Sequence, residues 1–130
     1  MALVNWSLSI QVTGGPTVSV TTNPNEVQAT DRIEVTIKAG DKDKIVMLQP
    51  EPASGIHLLL IKSSYYGADL TFKVSDGQKD GNTQVKLLGP QFFSGGAVGL
   101  FDVSPNQLKI TNNSAKDSLI EIFIARDATP

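Results

Sequence analysis

A chain of 130 residues with a hydrophobic fraction of 40% has the length and apolar content of one domain with its own core. Its formal charge is −2, with acidic and basic residues interleaved; this argues against the basic stripe that nucleic acid demands and the polybasic patch that holds a membrane surface. There is no cysteine, so disulfides, thiolate nucleophiles and zinc–thiolate sites are excluded, and no apolar run approaches the roughly 18–20 residues of a membrane helix.

The N-terminal segment MALVNWSLSIQV lacks the basic start and continuous apolar stretch of a secretory signal, so a cytoplasmic protein is expected. The sequons at Asn5 and Asn112 then read as chance occurrences. Val4–Val12 alternates: Val4, Trp6, Leu8, Ile10 and Val12 share one face and polar residues the other. A helix would scatter those side chains, so period two predicts a strand. Gly14-Gly15-Pro16 breaks it, Val18 and Val20 mark a second strand, and Asn23-Pro24-Asn25 turns the chain.

Arg32–Lys38 alternates again, with Ile33, Val35 and Ile37 facing in. The charged turn Gly40–Lys44 leads to a short apolar strand, Ile45–Leu48, ended by Pro50-Glu51-Pro52, a loop or sheet edge. Gly55–Ser75 reads as two strands joined by a turn. Ile56–Ile61 is apolar at nearly every position, as expected of a strand covered on both faces; the second strand puts Leu70, Phe72 and Val74 on one side and Thr71, Lys73 and Ser75 on the other. Asp76–Asn82 is a polar loop, Thr83–Leu88 a further strand, and Gly89-Pro90 punctuates it. Phe92-Phe93 precede Ser94-Gly95-Gly96, and Ala97–Val103 is expected as a strand with Gly99 at a bulge. After Ser104-Pro105-Asn106, Leu108 and Ile110 mark a strand. In the last strand, Ser118–Ala125, Ile120, Ile122 and Ile124 share one face, and Leu119, Phe123 and Ala125 join Glu121 on the other. Asp127–Pro130 reads as a tail.

Eight to ten short strands at about ten-residue spacing, without an amphipathic helix, predict one all-β domain over residues 1–130, a two-layer antiparallel β-sandwich. A jelly roll fits the strand number best; immunoglobulin-like and other Greek-key orders stay open, because spacing does not determine strand order.

Chemistry is sparse. His57 is the only histidine and lies between Ile56 and Leu58 with no G-x-S-x-G motif in the chain, so it reads as structural. No cofactor is expected. Asp76, Asp80 and Asn82 form the best calcium candidate, but the EF-hand pattern fails: Gln78 stands at its third position and Leu87 where a bidentate Glu is needed. Trp6, Phe72 and Phe101 are assigned to the core, while Tyr65-Tyr66 and Phe92-Phe93 should each place one ring inward and one outward.

Two functions follow from different features. The two-sided strands carry Leu59, Ile61, Leu119 and Phe123, whose second face wants a partner, most simply a copy of the same protein. This reads as a non-catalytic structural module, a homo-oligomer or part of a larger protein assembly such as a phage- or virion-like particle, by analogy of fold alone. The alternative is a carbohydrate-binding module with Tyr65 and Tyr66 as stacking platform and the acidic loop beside them.

Overall fold

The structure, a computed structural model, describes residues 2–22, 25–49 and 55–127. Its strands are β1 (Ala2–Val4), β2 (Ser7–Gln11), β3 (Thr17–Thr21), β4 (Asn25–Val27), β5 (Ala29–Ile37), β6 (Lys44–Met47), β7 (Ile56–Ser63), β8 (Leu70–Ser75), β9 (Val85–Lys86), β10 (Gln91–Ser94), β11 (Gln107–Asn112) and β12 (Ser118–Arg126). Eight of them form two four-stranded antiparallel sheets that pack face to face, so the fold is an all-β sandwich. Sheet I has the order β10-β7-β12-β5 and sheet II the order β6-β11-β8-β9. Two small ribbons, β1-β4 and β2-β3, lie outside the sheets.

The core is the layer between the sheets. Sheet I contributes Ile37, Leu59, Ile61, Ile120, Ile122 and Ile124; sheet II contributes Val46, Leu70, Phe72, Val74, Leu108 and Ile110. Each set is one parity of its strand, so alternation alone places it in the dry layer. At the edge of the core, the buried Asn112 amide donates to the carbonyls of Ile37 (3.0 Å) and Lys116 (2.8 Å). Its oxygen accepts from the Ser114 N–H and hydroxyl, so one side chain ties the end of β5 to the loop before β12.

Several expectations change. Val4–Val12 is not one strand: Asn5-Trp6 separates β1 from β2, and the two halves have different partners. Thr83–Leu88 contributes only Val85–Lys86 to the sheet. Ala97–Val103 is not a strand; Gly95–Leu100 winds into a 3₁₀ turn, entered through Gly95 at φ +56°. That left-handed geometry suits glycine, and it diverts the chain out of β10. Asp127 is not part of a tail, because its N–H donates to the Gly55 carbonyl (2.9 Å). The loop expected at Pro50–Pro52 and the residues Asn23, Pro24 and 128–130 lie outside the described residues, whereas Asn25 opens β4.

Strand β7 shows why a two-sided apolar strand cannot be sorted by parity. Leu58 is opposite Ala125 on β12, but Ile56 is opposite Arg126, so the register shifts and His57 is the extra residue of a bulge. The bulge lets Ile56, Leu59 and Ile61 all enter the intersheet core while Leu58 and Leu60 face outward. Leu59 and Ile61, at 0% and 1% exposed, are therefore core residues of one subunit and not part of an outer contact face.

Candidate functional site

The outer face of sheet I is the one that sequence left without a cover. Register across the sheet places Phe92, Leu60, Phe123 and Arg32 in one row, and Ser94, Leu58, Ala125 and Thr30 in the next. The apolar part of these rows is covered in cis. Val27, Leu58 and Ala125 form a second small core, joined by Ala2, Val4, Trp6, Leu60 and Phe123. The Trp6 ring meets Phe92 edge-on, with centroids 5.1 Å apart and planes at 72°, a favourable aromatic geometry. The ribbon β1-β4 is thus a lid made from the chain's own N-terminal segment. Trp6 belongs to this outer cluster and not to the intersheet core.

Beyond the lid the same face is charged. Arg32 reaches both Glu34 and Glu121 at 2.7 Å, and Lys62 lies 3.8 Å from Glu121. Glu34 and Glu121 are directly opposite in the register, so the guanidinium between them relieves a like-charge pair. Its hydrogen bond holds the Glu121 carboxyl below the usual carboxylate range. Leu119, at the far end, is 47% exposed, and Phe123 is half-buried beside the lid. Of the four side chains expected at an interface, Leu119 alone is open.

The ribbon β2-β3 is different from every other apolar element. It pairs with neither sheet, and each of its ten strand residues is exposed. Leu8 is opposite Val20 and Ile10 opposite Val18, so these four side chains share one face, with Val12 following in the same parity. Ser7, Ser9, Gln11, Thr17, Ser19 and Thr21 line the other face. Gly14 at φ +75° closes the turn, and the Gly15 N–H donates to the Val12 carbonyl (2.9 Å). No charged side chain or histidine occurs between Ala2 and Asn25. Sequence reasoning passed over this; an uncharged stretch in a chain whose charges otherwise interleave was the available signal.

A cleft of about 400 Å³ opens where the lid meets the bulge, bounded by Trp6, Glu26, His57, Leu58 and Ser94. The bulge turns His57 to the rim, where its side chain is half-exposed and its Nε2 lies 2.7 Å from Asp127 Oδ1. The Asp127 carboxylate thus orients this imidazole at the rim of the cleft.

The loop residues singled out for calcium have other partners. The Asp76 carboxylate accepts from the N–H groups of Gln78 (2.8 Å) and Lys79 (2.6 Å), with Lys79 the main cause of its lowered pKa. Asp80 lies 2.9 Å from Lys109 and 3.4 Å from Lys73, and hydrogen bonding to Lys109 chiefly holds its carboxyl below the ordinary range. Asn82 donates its backbone N–H to Asp102 (2.9 Å). Among the described residues no group of three His, Asp or Glu side chains is placed to hold a metal ion. Tyr65 and Tyr66 do not divide into one inward and one outward ring. Both pack against the main core; the Tyr66 hydroxyl accepts from the Ser63 N–H (3.1 Å), and Lys116 Nζ lies 5.9 Å from the centre of the Tyr65 ring. Phe92 and Phe93 do divide, Phe92 outward to Trp6 and Phe93 inward to Phe101.

None of the described helical segments is long and apolar enough to cross a membrane. Compared with known proteins, the chain matches no family model and no curated protein sequence.

Proposed function

We propose that this protein is a non-catalytic structural module that associates with copies of itself. The observation that carries the reading is the hairpin β2-β3, which holds five aliphatic side chains, each about half-exposed, on one uncharged face. An isolated two-stranded ribbon is marginal in water, and native sheets guard open edges with charge. This one has neither a covering layer nor a charge, which fits a surface made to be covered by protein. We read the fold as a jelly roll. Its support is the strand order: β5-β12-β7-β10 faces β6-β11-β8-β9, and consecutive strands alternate between sheets except β8 and β9. That order fits eight strands wound as two Greek keys, an architecture used by capsid domains and lectins alike, so fold supports the assembly reading only by analogy. The test is the molar mass in solution, by light scattering behind a sizing column. A defined oligomer is expected, and a monomer at every concentration overturns the reading.

A second reading, carbohydrate binding, moves from the tyrosines to the cleft at His57. Trp6 lines it with an aromatic ring, and Glu26, His57 and Ser94 offer polar groups, the combination that holds a sugar ring. Trp6 is the only tryptophan, so its fluorescence would report sugar binding directly. A glycan screen that leaves this emission unchanged removes the reading.

A further inference from the structure

We propose that the hairpin β2-β3 is the self-association arm, and that its apolar face packs against the same face of the arm of a second copy. This rests on the assembly reading and specifies its contact. Three observations select the occupant. The first is charge. When a surface meets its own copy, a charge on the two-fold axis meets its like, so a face kept clear of charge there meets its copy without repulsion. The arm satisfies this, with no ionisable side chain from Ala2 to Asn25.

The second is symmetry. The cross-strand pairs Leu8–Val20 and Ile10–Val18 put two similar aliphatic pairs side by side. A half-turn about an axis that lies in the contact plane and runs across the strands turns the second arm face to face with the first and lays one pair over the other, so two arms interdigitate as a small four-stranded sandwich. The third is the poor seat that the described part of sheet I offers in cis. The alternation that places Val4 and Trp6 on the lid continues through Leu8, Ile10 and Val12. The part of sheet I beyond the lid, however, carries Arg32, Glu34, Lys62 and Glu121, which would be stripped of water beneath an apolar ribbon. Five half-exposed aliphatic side chains offer roughly 200–400 Å² per arm, less than the about 800 Å² each partner gives to a standard interface. The pairing is therefore reversible, dissociates on dilution, and gains strength where many copies are held together.

The test uses the full chain and follows molar mass by sedimentation from micromolar to millimolar concentration. Ile10→Lys and Ile10→Glu are each expected to weaken association at least tenfold without moving the thermal midpoint, because Ile10 supports no core. Mixing the two variants is expected to restore it, since opposite charges then meet across the axis. A cysteine probe serves independently of those charges: in a chain without cysteine, Ile10→Cys is expected to give a covalent dimer with a short bismaleimide linker, which spans the gap between facing sheets, and Ser9→Cys, on the opposite face, is not. If the wild type self-associates and both charged variants do so equally, the arm is not the contact, although the assembly reading survives. If the charged variants are monomeric but their mixture is not restored and Ile10→Cys stays monomeric, arm-to-arm pairing is overturned in favour of an arm seated on a neighbour's body. A wild type that is monomeric at millimolar concentration removes the assembly reading itself.

Discussion

Strands β2 and β8 both alternate aliphatic or aromatic with polar residues, yet Phe72 in β8 is 1% exposed and Ile10 in β2 is 52% exposed. Strand β8 lies between β11 and β9 and faces sheet I across a dry layer. Strand β2 has one neighbour and no opposing layer. The comparison separates two meanings of the same pattern. Alternation makes a face that requires covering; it does not say whether the cover comes from the other sheet, from the chain's own lid, or from another molecule.

The widest separation should appear in stability. Phe72→Ala is expected to cost about 3–5 kcal/mol through lost burial and a cavity. Ile10→Ala should stay within about 0.5 kcal/mol of wild type, as substitutions on an open surface do. Urea unfolding of the monomer measures both; similar losses at the two positions would mean that the hairpin is packed on the body. Next in size is Asn112→Ala. It removes both amide donors and the acceptor that order the loop before β12, and should cost about 1–3 kcal/mol. An unchanged unfolding midpoint would show that water replaces the network without loss.

The lid sits between the two extremes, and Phe123→Lys probes it. The new ammonium would lie within the lid's apolar cluster, directly opposite Arg32. Amide exchange is expected to accelerate in β1 and β4 while the inward strands β8 and β11 keep their protection. Uniform acceleration across the sandwich would instead make the lid part of the cooperative core. The smallest effect is acid dependence. Asp76, Asp80 and Glu121 each titrate below their ordinary range, chiefly through hydrogen bonds from the Lys79 backbone, Lys109 and Arg32 respectively. A carboxyl whose folded pKa is lowered adds stability that is full above its unfolded value and lost as pH falls through the folded one. Stability contributed by these groups should therefore hold from neutrality down to about pH 4 and decline below it. Asp80→Asn should flatten that decline; an equally steep acid limb in the variant would assign it elsewhere.

Much of the sandwich was legible in the sequence because its inward faces are local facts. Ile33, Val35 and Ile37 in β5, the alternate residues of β8, and Ile120, Ile122 and Ile124 in β12 share a face for reasons of backbone geometry alone. The apolar character of both faces of β7 and β12 was equally plain, and so was the conclusion that something covers the second face. What covers it was not. Leu59 and Ile61 enter the core because they pair in register with Ile124 and Ile122, and Ile56 joins them only through the bulge at His57; both are set by pairing with β12 some seventy residues away. The same bulge brings His57 to a rim beside Asp127, which composition could not anticipate. Trp6 and Leu8 belong to one alternating run, yet one is seated on Phe92 and the other stands in the open. Sequence by itself determined which side chains need to leave water. Tertiary structure decided which of them do so within one chain, because a covering layer is assembled from distant strands and its extent depends on where their pairing ends.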